Sequence, residues 1–206
     1  YFSKLIMSKQ NRELAAITFI DIVDFSKLMH EDEEKAIHLL SLQKDVVYPI
    51  INSYSGNILK ELGDGLLVSF NSAIQAVKCS IEIQTKVEYI EHLDYRIGIH
   101  IGDVIKKDGD VFGDGVNIAS RMQHLAETGG ICISQNIYDA IQNQSSIQRT
   151  SLGEKELKGI AEKISLYKID IKTNSIPHPT INQSNYGFPD NQTKNINNGK
   201  SKKWII

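Results

Sequence analysis

Residues 14–23 read Leu-Ala-Ala-Ile-Thr-Phe-Ile-Asp-Ile-Val, ten positions in which only Thr18 and Asp21 are polar. β-Branched and aromatic residues dominate the stretch, which predicts a strand buried on both faces. An aspartate inside such a strand loses solvation unless it is paired or meets a cation, so Asp21 is also the first candidate functional residue. Downstream, Glu33–Tyr54 carries Ala36, Leu39, Leu40, Val46, Val47 and Ile50 at helical spacing, and predicts a helix bent or broken near Pro49. Ile58–Leu62 and Leu66–Phe70 are short apolar runs separated by Gly63-Asp64-Gly65, the signal of a hairpin. Ser72–Glu91 predicts an amphipathic helix capped by its serine. Tyr95–Ile105 reads as a strand broken by Gly98 and Gly102, Asp114–Ala126 as a helix, and Ile131–Ser134 as a strand. Gln135–Gln142 reads as a short helix and Ile164–Ile169 as a last strand. This order is mixed α/β (α+β): a ferredoxin-like β-α-β-β-α-β core with additional C-terminal strands and helices.

The bulk properties narrow the function. With 206 residues the chain has room for one domain of about 100–200 residues and extensions. Its 41% hydrophobic and 23% charged residues are ordinary for a globular protein, and a net charge of −2 argues against nucleic acid as a partner. Cys79 and Cys132 have no metal or redox spacing and read as buried free thiols. No apolar run reaches the roughly 18 residues of a membrane span, and the start lacks the pattern of a signal peptide, so a cytoplasmic location is expected. Residues 1–12 read as an N-terminal extension, in which Tyr1–Ile6 precede the first methionine, Met7, and are appended residues or the interior of a longer chain. Residues 13–170 read as the folded domain. From 171 to 206, asparagines and Pro177, Pro179 and Pro189 predict a disordered linker. It ends Lys202-Lys203-Trp204-Ile205-Ile206, the pattern of a cytoplasmic flank meeting a membrane helix; a membrane tether and a plain tail both stay open.

Three segments carry chemistry. A hairpin packed beside the first strand would bring Asp64 against Asp21, and two facing carboxylates are natural holders of a pair of Mg²⁺ or Mn²⁺ ions. Taken singly, Asp64 reads better as the aspartate of an ordinary Asp-Gly turn, whereas Asp21 alone divides evenly between the two readings. In Asp110-Val111-Phe112-Gly113-Asp114-Gly115-Val116-Asn117-Ile118-Ala119-Ser120-Arg121, Asn117 and Arg121 stand four apart on one helix face. An arginine beside an amide suits a phosphate whose charge shifts during reaction.

Together, Phe19-Ile20-Asp21-Ile22-Val23-Asp24-Phe25, Lys60-Glu61-Leu62-Gly63-Asp64-Gly65 and Asp110–Arg121, with Arg96-Ile97-Gly98-Ile99-His100-Ile101-Gly102 between them, resemble the class III nucleotidyl cyclases. The likeness runs from Glu13 to Asp170 and includes Leu157-Lys158-Gly159-Ile160. It implies the class III cyclase fold, and an adenylyl cyclase of bacterial type turning ATP into 3′,5′-cyclic AMP and pyrophosphate. It implies Asp21, Asp64 and the carbonyl of Ile22 as holders of two Mg²⁺ or Mn²⁺ ions, Asn117 orienting the ribose, and Arg121 stabilising the transition state. The Val23–Ser26 turn, with Phe25 and Ser26, is expected to offer backbone N–H groups to the phosphates. Lys60 falls where adenylyl cyclases face adenine N1, and Asp110 where they receive the N6 amine; guanylyl cyclases have glutamate and cysteine there. Lys158 or Lys163 is expected to reach the triphosphate. The resemblance also implies a symmetric homodimer with shared sites. One departure stands out: Asp24 occupies a position where the family usually has glycine. The alternatives are a weak or inactive nucleotide-binding or dimerisation module, which the retention of Asp21, Asp64, Asn117 and Arg121 disfavours, and a guanylyl cyclase, which Lys60 and Asp110 disfavour.

Overall fold

Strand β1 (Asn11–Ile22) lies at the centre of the sheet because both of its faces are apolar. Ala15, Ile17 and Phe19 point to one side, and Ala16, Ile20 and Ile22 to the other, as the two-residue period requires. The structure, a computed structural model, describes residues 11–107 and 110–171. After β1 come α1 (Phe25–Glu31), α2 (Glu33–Ser53), the hairpin β2 (Asn57–Leu62) and β3 (Gly65–Phe70), α3 (Ala73–Val87) and β4 (Tyr95–Lys107). There follow β5 (Asp110–Phe112), α4 (Asp114–Gln123), β6 (Ile131–Ser134), α5 (Gln135–Ala140), β7 (Gln148–Lys155) and β8 (Ile164–Asp170).

Among the described residues the sheet has eight strands in the order β2-β3-β1-β4-β6-β8-β7, with β5 paired to β4. The first four form the expected β-α-β-β-α-β core: β1 runs antiparallel to both β3 and β4. The parallel β4–β6 pair then extends the sheet towards β8 and β7. Ser72 caps α3, its side chain accepting from the N–H of Gln75. Cys79 and Cys132 are buried and unbridged, and burial pushes both thiols up to about 12. Among the described residues no helix is long and apolar enough to cross a membrane. Of the expected extension (1–12) and linker (171–206), residues 1–10 and 172–206, with the Lys-Lys-Trp-Ile-Ile ending, lie outside the described residues, while Asn11 and Arg12 belong to β1.

Of the bend or break expected at Pro49, the break is a correction: α2 runs through it to Ser53. Proline removes one helical hydrogen bond, to the carbonyl four residues back. Here Asp45 and Pro49 are both exposed, four residues before the helix ends, so water can take that carbonyl. Helix α3 stops at Val87 and α4 at Gln123, each a few residues short of expectation. The sequence reading lacked β5 and β7, which are a three-residue edge piece and a largely exposed polar edge strand.

Helix α4 rests on β1 and β4, and glycine makes the contact close. A Cβ at Gly98 would collide with the Ala119 carbonyl oxygen and lie 2.5 Å from the Gln123 nitrogen; one at Gly102 would lie 2.6 Å from the Gly115 Cα. Around this contact Ala15, Ile17, Leu67, Val104 and Ala119 form a buried cluster. Gly98→Ala is therefore expected to destabilise the chain by about 1–3 kcal/mol, the usual cost of overpacking, as read from urea denaturation. An unchanged midpoint would show that α4 is free to lift away.

Candidate active site

Asp21 stands at the end of β1 on the α4 face, and its carboxylate oxygens have different neighbours. Oδ2 accepts a hydrogen bond from Gln123 Nε2 at 3.0 Å. Oδ1 lies over the hairpin, 3.3 Å from where a Cβ on Gly65 would be. The register explains this: Phe19 pairs with Leu67 and Ile20 with Leu66, so the end of β1 meets the start of β3.

Asp64 sits at the tip between β2 and β3, where Gly63 turns the chain at φ +68°. From behind, the buried Gln43 of α2 donates Nε2 to the Asp64 carbonyl at 3.0 Å. Burial, and then the charge of Asp21, push the Asp64 carboxyl up to about 6, while the N–H groups of Asp64 and Ile22 pull it down. Such a pair resists carrying two negative charges until a cation joins it, and hard carboxylate oxygens suit Mg²⁺ or Mn²⁺. The donor set therefore fits the expected metals. Among the described residues no three His, Cys, Asp or Glu side chains gather as a metal cage, so the remaining ligands would be carbonyl, substrate and water oxygens.

A second pair joins β2 to β5. Lys60 Nζ donates to Asp110 Oδ1 at 2.8 Å, and the Val111 N–H donates to the same oxygen at 2.8 Å. These two contacts hold the Asp110 carboxyl below the usual carboxylate range. Both side chains remain close to half exposed, open to a ligand.

Helix α4 presents Asn117 to solvent, while Arg121 is half-buried. Arg121 Nε is buried and has no hydrogen-bond partner among the described residues. In the loop after β1 the Val23 N–H is already bonded to the Asp94 carbonyl at 2.8 Å, which removes it from the expected phosphate donors. Phe25 is buried and Ser26 exposed. Asp24 adopts φ +56°, ψ +21°, a left-handed conformation that glycine takes freely and aspartate tolerates better than most residues. The departure at Asp24 thus falls on a backbone conformation that glycine takes without strain. Lys158 is exposed before Gly159, and Lys163 pairs with Glu156 at 3.3 Å. Among the described residues no hydrogen bond or ion pair ties either lysine to the carboxylates. The sequence reading missed Gln43 and Gln123; their one signal was an amide on the apolar face of a helix.

Residues 7–171 match the family described as the adenylate and guanylate cyclase catalytic domain. The chain belongs to this family. It is 34% identical over 185 residues to a Rhizobium meliloti (strain 1021) protein provisionally named adenylate cyclase 3, covering 85% of this chain and 32% of that protein. A crystal structure described as an adenylate/guanylate cyclase/hydrolase from Silicibacter pomeroyi is 35% identical, with a TM-score of 0.71 over 77% of this chain and 96% of the other. The adenylyl cyclase CyaB of P. aeruginosa, at 24% identity, shares the fold with a TM-score of 0.72 over 82% of this chain and 99% of its own. This cyclase domain has the class III cyclase fold, a mixed α+β sheet with helices. It spans roughly a fifth to a third of the length of the first curated relatives that it matches.

The carboxylate pair gives the metal-free cyclase domain a pH signature. Folding raises the Asp64 carboxyl from 3.8 to about 6, so between these values the folded chain binds more protons than the unfolded one. Stability of the metal-free chain then falls as pH rises through that window. Asp64→Asn is expected to be more stable than the parent at pH 7 by on the order of 1 kcal/mol, allowing for solvent screening of a half-buried group. Thermal melts in chelator from pH 4 to 8 would show the advantage shrinking to nothing near pH 4. A constant difference across the range would refute the electrostatic account.

Proposed function

We propose that this cyclase domain converts ATP into 3′,5′-cyclic AMP and pyrophosphate, at sites completed by a second copy of the chain. The Lys60–Asp110 pair carries the reading. It sets an N–H donor beside a carboxylate acceptor, 2.8 Å apart and open to solvent. Adenine offers the complement, with an acceptor at N1 beside a donor at N6. Guanine would set its N1–H against the lysine and its O6 against the aspartate, leaving both groups mismatched.

In the reaction the ribose 3′-oxygen attacks the α-phosphorus in line, an O3′–P bond forms, and the bond to the pyrophosphate oxygen breaks while the hydroxyl proton is lost. Asn117 orients the ribose, so that the attacking oxygen reaches phosphorus without a further search. The Arg121 guanidinium, short of one partner at Nε, receives the charge that grows on the phosphoryl oxygens. Asp21, Asp64 and the Ile22 carbonyl would hold two divalent ions, which when bound lower the pKa of the 3′-hydroxyl and neutralise the triphosphate. The N–H groups of Phe25 and Ser26, and Lys158, approach the phosphates. In the family each site draws its metal ligands from one subunit and its base and transition-state residues from the other. This chain carries both sets, which supports a symmetric homodimer.

The test is product formation by the purified chain from ATP and from GTP, with Mn²⁺ or Mg²⁺, over a range of protein concentrations. Cyclic AMP from ATP is expected, with specific activity rising as dimers form. Arg121→Ala should lower kcat roughly 100- to 1,000-fold. The double change Lys60→Glu and Asp110→Cys should shift preference towards GTP. Cyclic GMP as the parent's main product would overturn the base assignment. No cyclic nucleotide from a chain that still binds ATP would leave a nucleotide-binding module.

A further inference from the structure

The two oxygens of Asp21 are treated differently by the fold, and the cause is a residue outside the expected site. Gln123 closes α4, two residues beyond Arg121, and is only 1% exposed. Its backbone is pressed against Gly98 of β4, the strand that pairs with β1, and this brings its side chain alongside Asp21. Nε2 donates to Asp21 Oδ2 at 3.0 Å, whereas Oε1 is buried with no hydrogen-bond partner among the described residues. An orphaned buried acceptor destabilises a fold, so a leucine or methionine would serve packing better than this amide does. The amide is the worse core residue and the better neighbour for a carboxylate.

Charge explains why an amide suits the place. Asp21 and Asp64 already bring two carboxylates together, and a glutamate at 123 would add a third. A lysine or arginine would compete with the cation for Asp21. A glutamine donates without charge. It occupies Oδ2 and leaves Oδ1 on the hairpin side, towards Asp64.

We propose that Gln123 is a positioning residue for the metal-holding carboxylate of Asp21, fixing its orientation through the Nε2 hydrogen bond so that Oδ1 faces the cation. The proposal rests on the reading of Asp21 as a metal ligand. It also makes α4 a shared part: the helix that presents Asn117 and Arg121 holds Asp21 of the same chain through its last residue.

The experiment is a titration of the full chain with Mn²⁺, following free Mn²⁺ by electron paramagnetic resonance in the presence of 3′-deoxy-ATP, which lacks the attacking hydroxyl. Gln123→Met keeps the length and removes the donor. It is expected to weaken Mn²⁺ binding roughly 10- to 100-fold, the usual effect of losing a partner behind a metal ligand, while the metal-free melting temperature does not fall. Parent-like Mn²⁺ affinity in this variant would overturn the proposal and leave Gln123 a core amide. Should the methionine variant not fold, Gln123→Asn retains the polarity but is too short to reach Oδ2. The same loss is expected there, and parent-like affinity in the folded asparagine variant overturns the proposal equally. A parent chain that binds no Mn²⁺ removes Asp21 as a ligand, and this inference with it. A parent that binds Mn²⁺ but forms no cyclic nucleotide from ATP or GTP refutes the proposed function alone.

Discussion

Helix α4 lies on the sheet at backbone distance, and the arrangement of the site follows from that contact. Gly98 and Gly102 on β4 and Gly115 on α4 let the backbones of helix and strand come into direct contact. Side chains at an ordinary helix–sheet contact would hold α4 farther off, taking Gln123 out of reach of Asp21 and moving Asn117 and Arg121 with it. The apolar cluster of Ala15, Ile17, Leu67, Val104 and Ala119 then holds the helix down. Small residues set the distance, apolar residues supply the attraction, and polar residues at the margin inherit a geometry that they do not create.

The carboxylate pair makes the opposite contribution. Asp21 and Asp64 are brought together by the β1–β3 register and by a tip anchored through Gln43, and burial and the nearby charge of Asp21 work against the ionised form of Asp64. The core strands on either side, apolar and almost wholly buried, tolerate this local opposition. Sites that bind cations commonly carry such strain, because a ligand can only be attracted by charge that the fold has left uncompensated.

Most of this was legible in the chain itself, for physical reasons that differ from element to element. β1 and β3 are buried on both faces, so their apolar runs could be read directly, and Gly63-Asp64-Gly65 could hardly be anything but a turn. Asp21, Asp64, Lys60, Asp110, Asn117 and Arg121 were nameable because their motifs fall in order along the chain. β7 was not, because an edge strand solvated on most positions has no apolar alternation to display. Nor were Gln43 and Gln123: their partners, the Asp64 carbonyl and the Asp21 carboxylate, are 21 and 102 positions away. A hydrogen bond of that span leaves no trace in local composition. Asp24 could be seen as a departure, whereas its left-handed backbone is visible only in the structure.

The Lys60–Asp110 ion pair has a bearing on selection that attraction alone would not supply. Before any nucleotide arrives, the two groups already satisfy one another, and the Val111 N–H braces the aspartate. On the proposed reading, an incoming base takes part in an exchange, in which each group gives up a good partner for a new one. Adenine can replace both partners at once, so the exchange is close to balanced. A base with the reverse pattern of donors and acceptors replaces neither partner and leaves both groups mismatched. The stability of the resting pair lowers the affinity of every base that must break it, and the choice between bases is left to how well each one replaces the two partners.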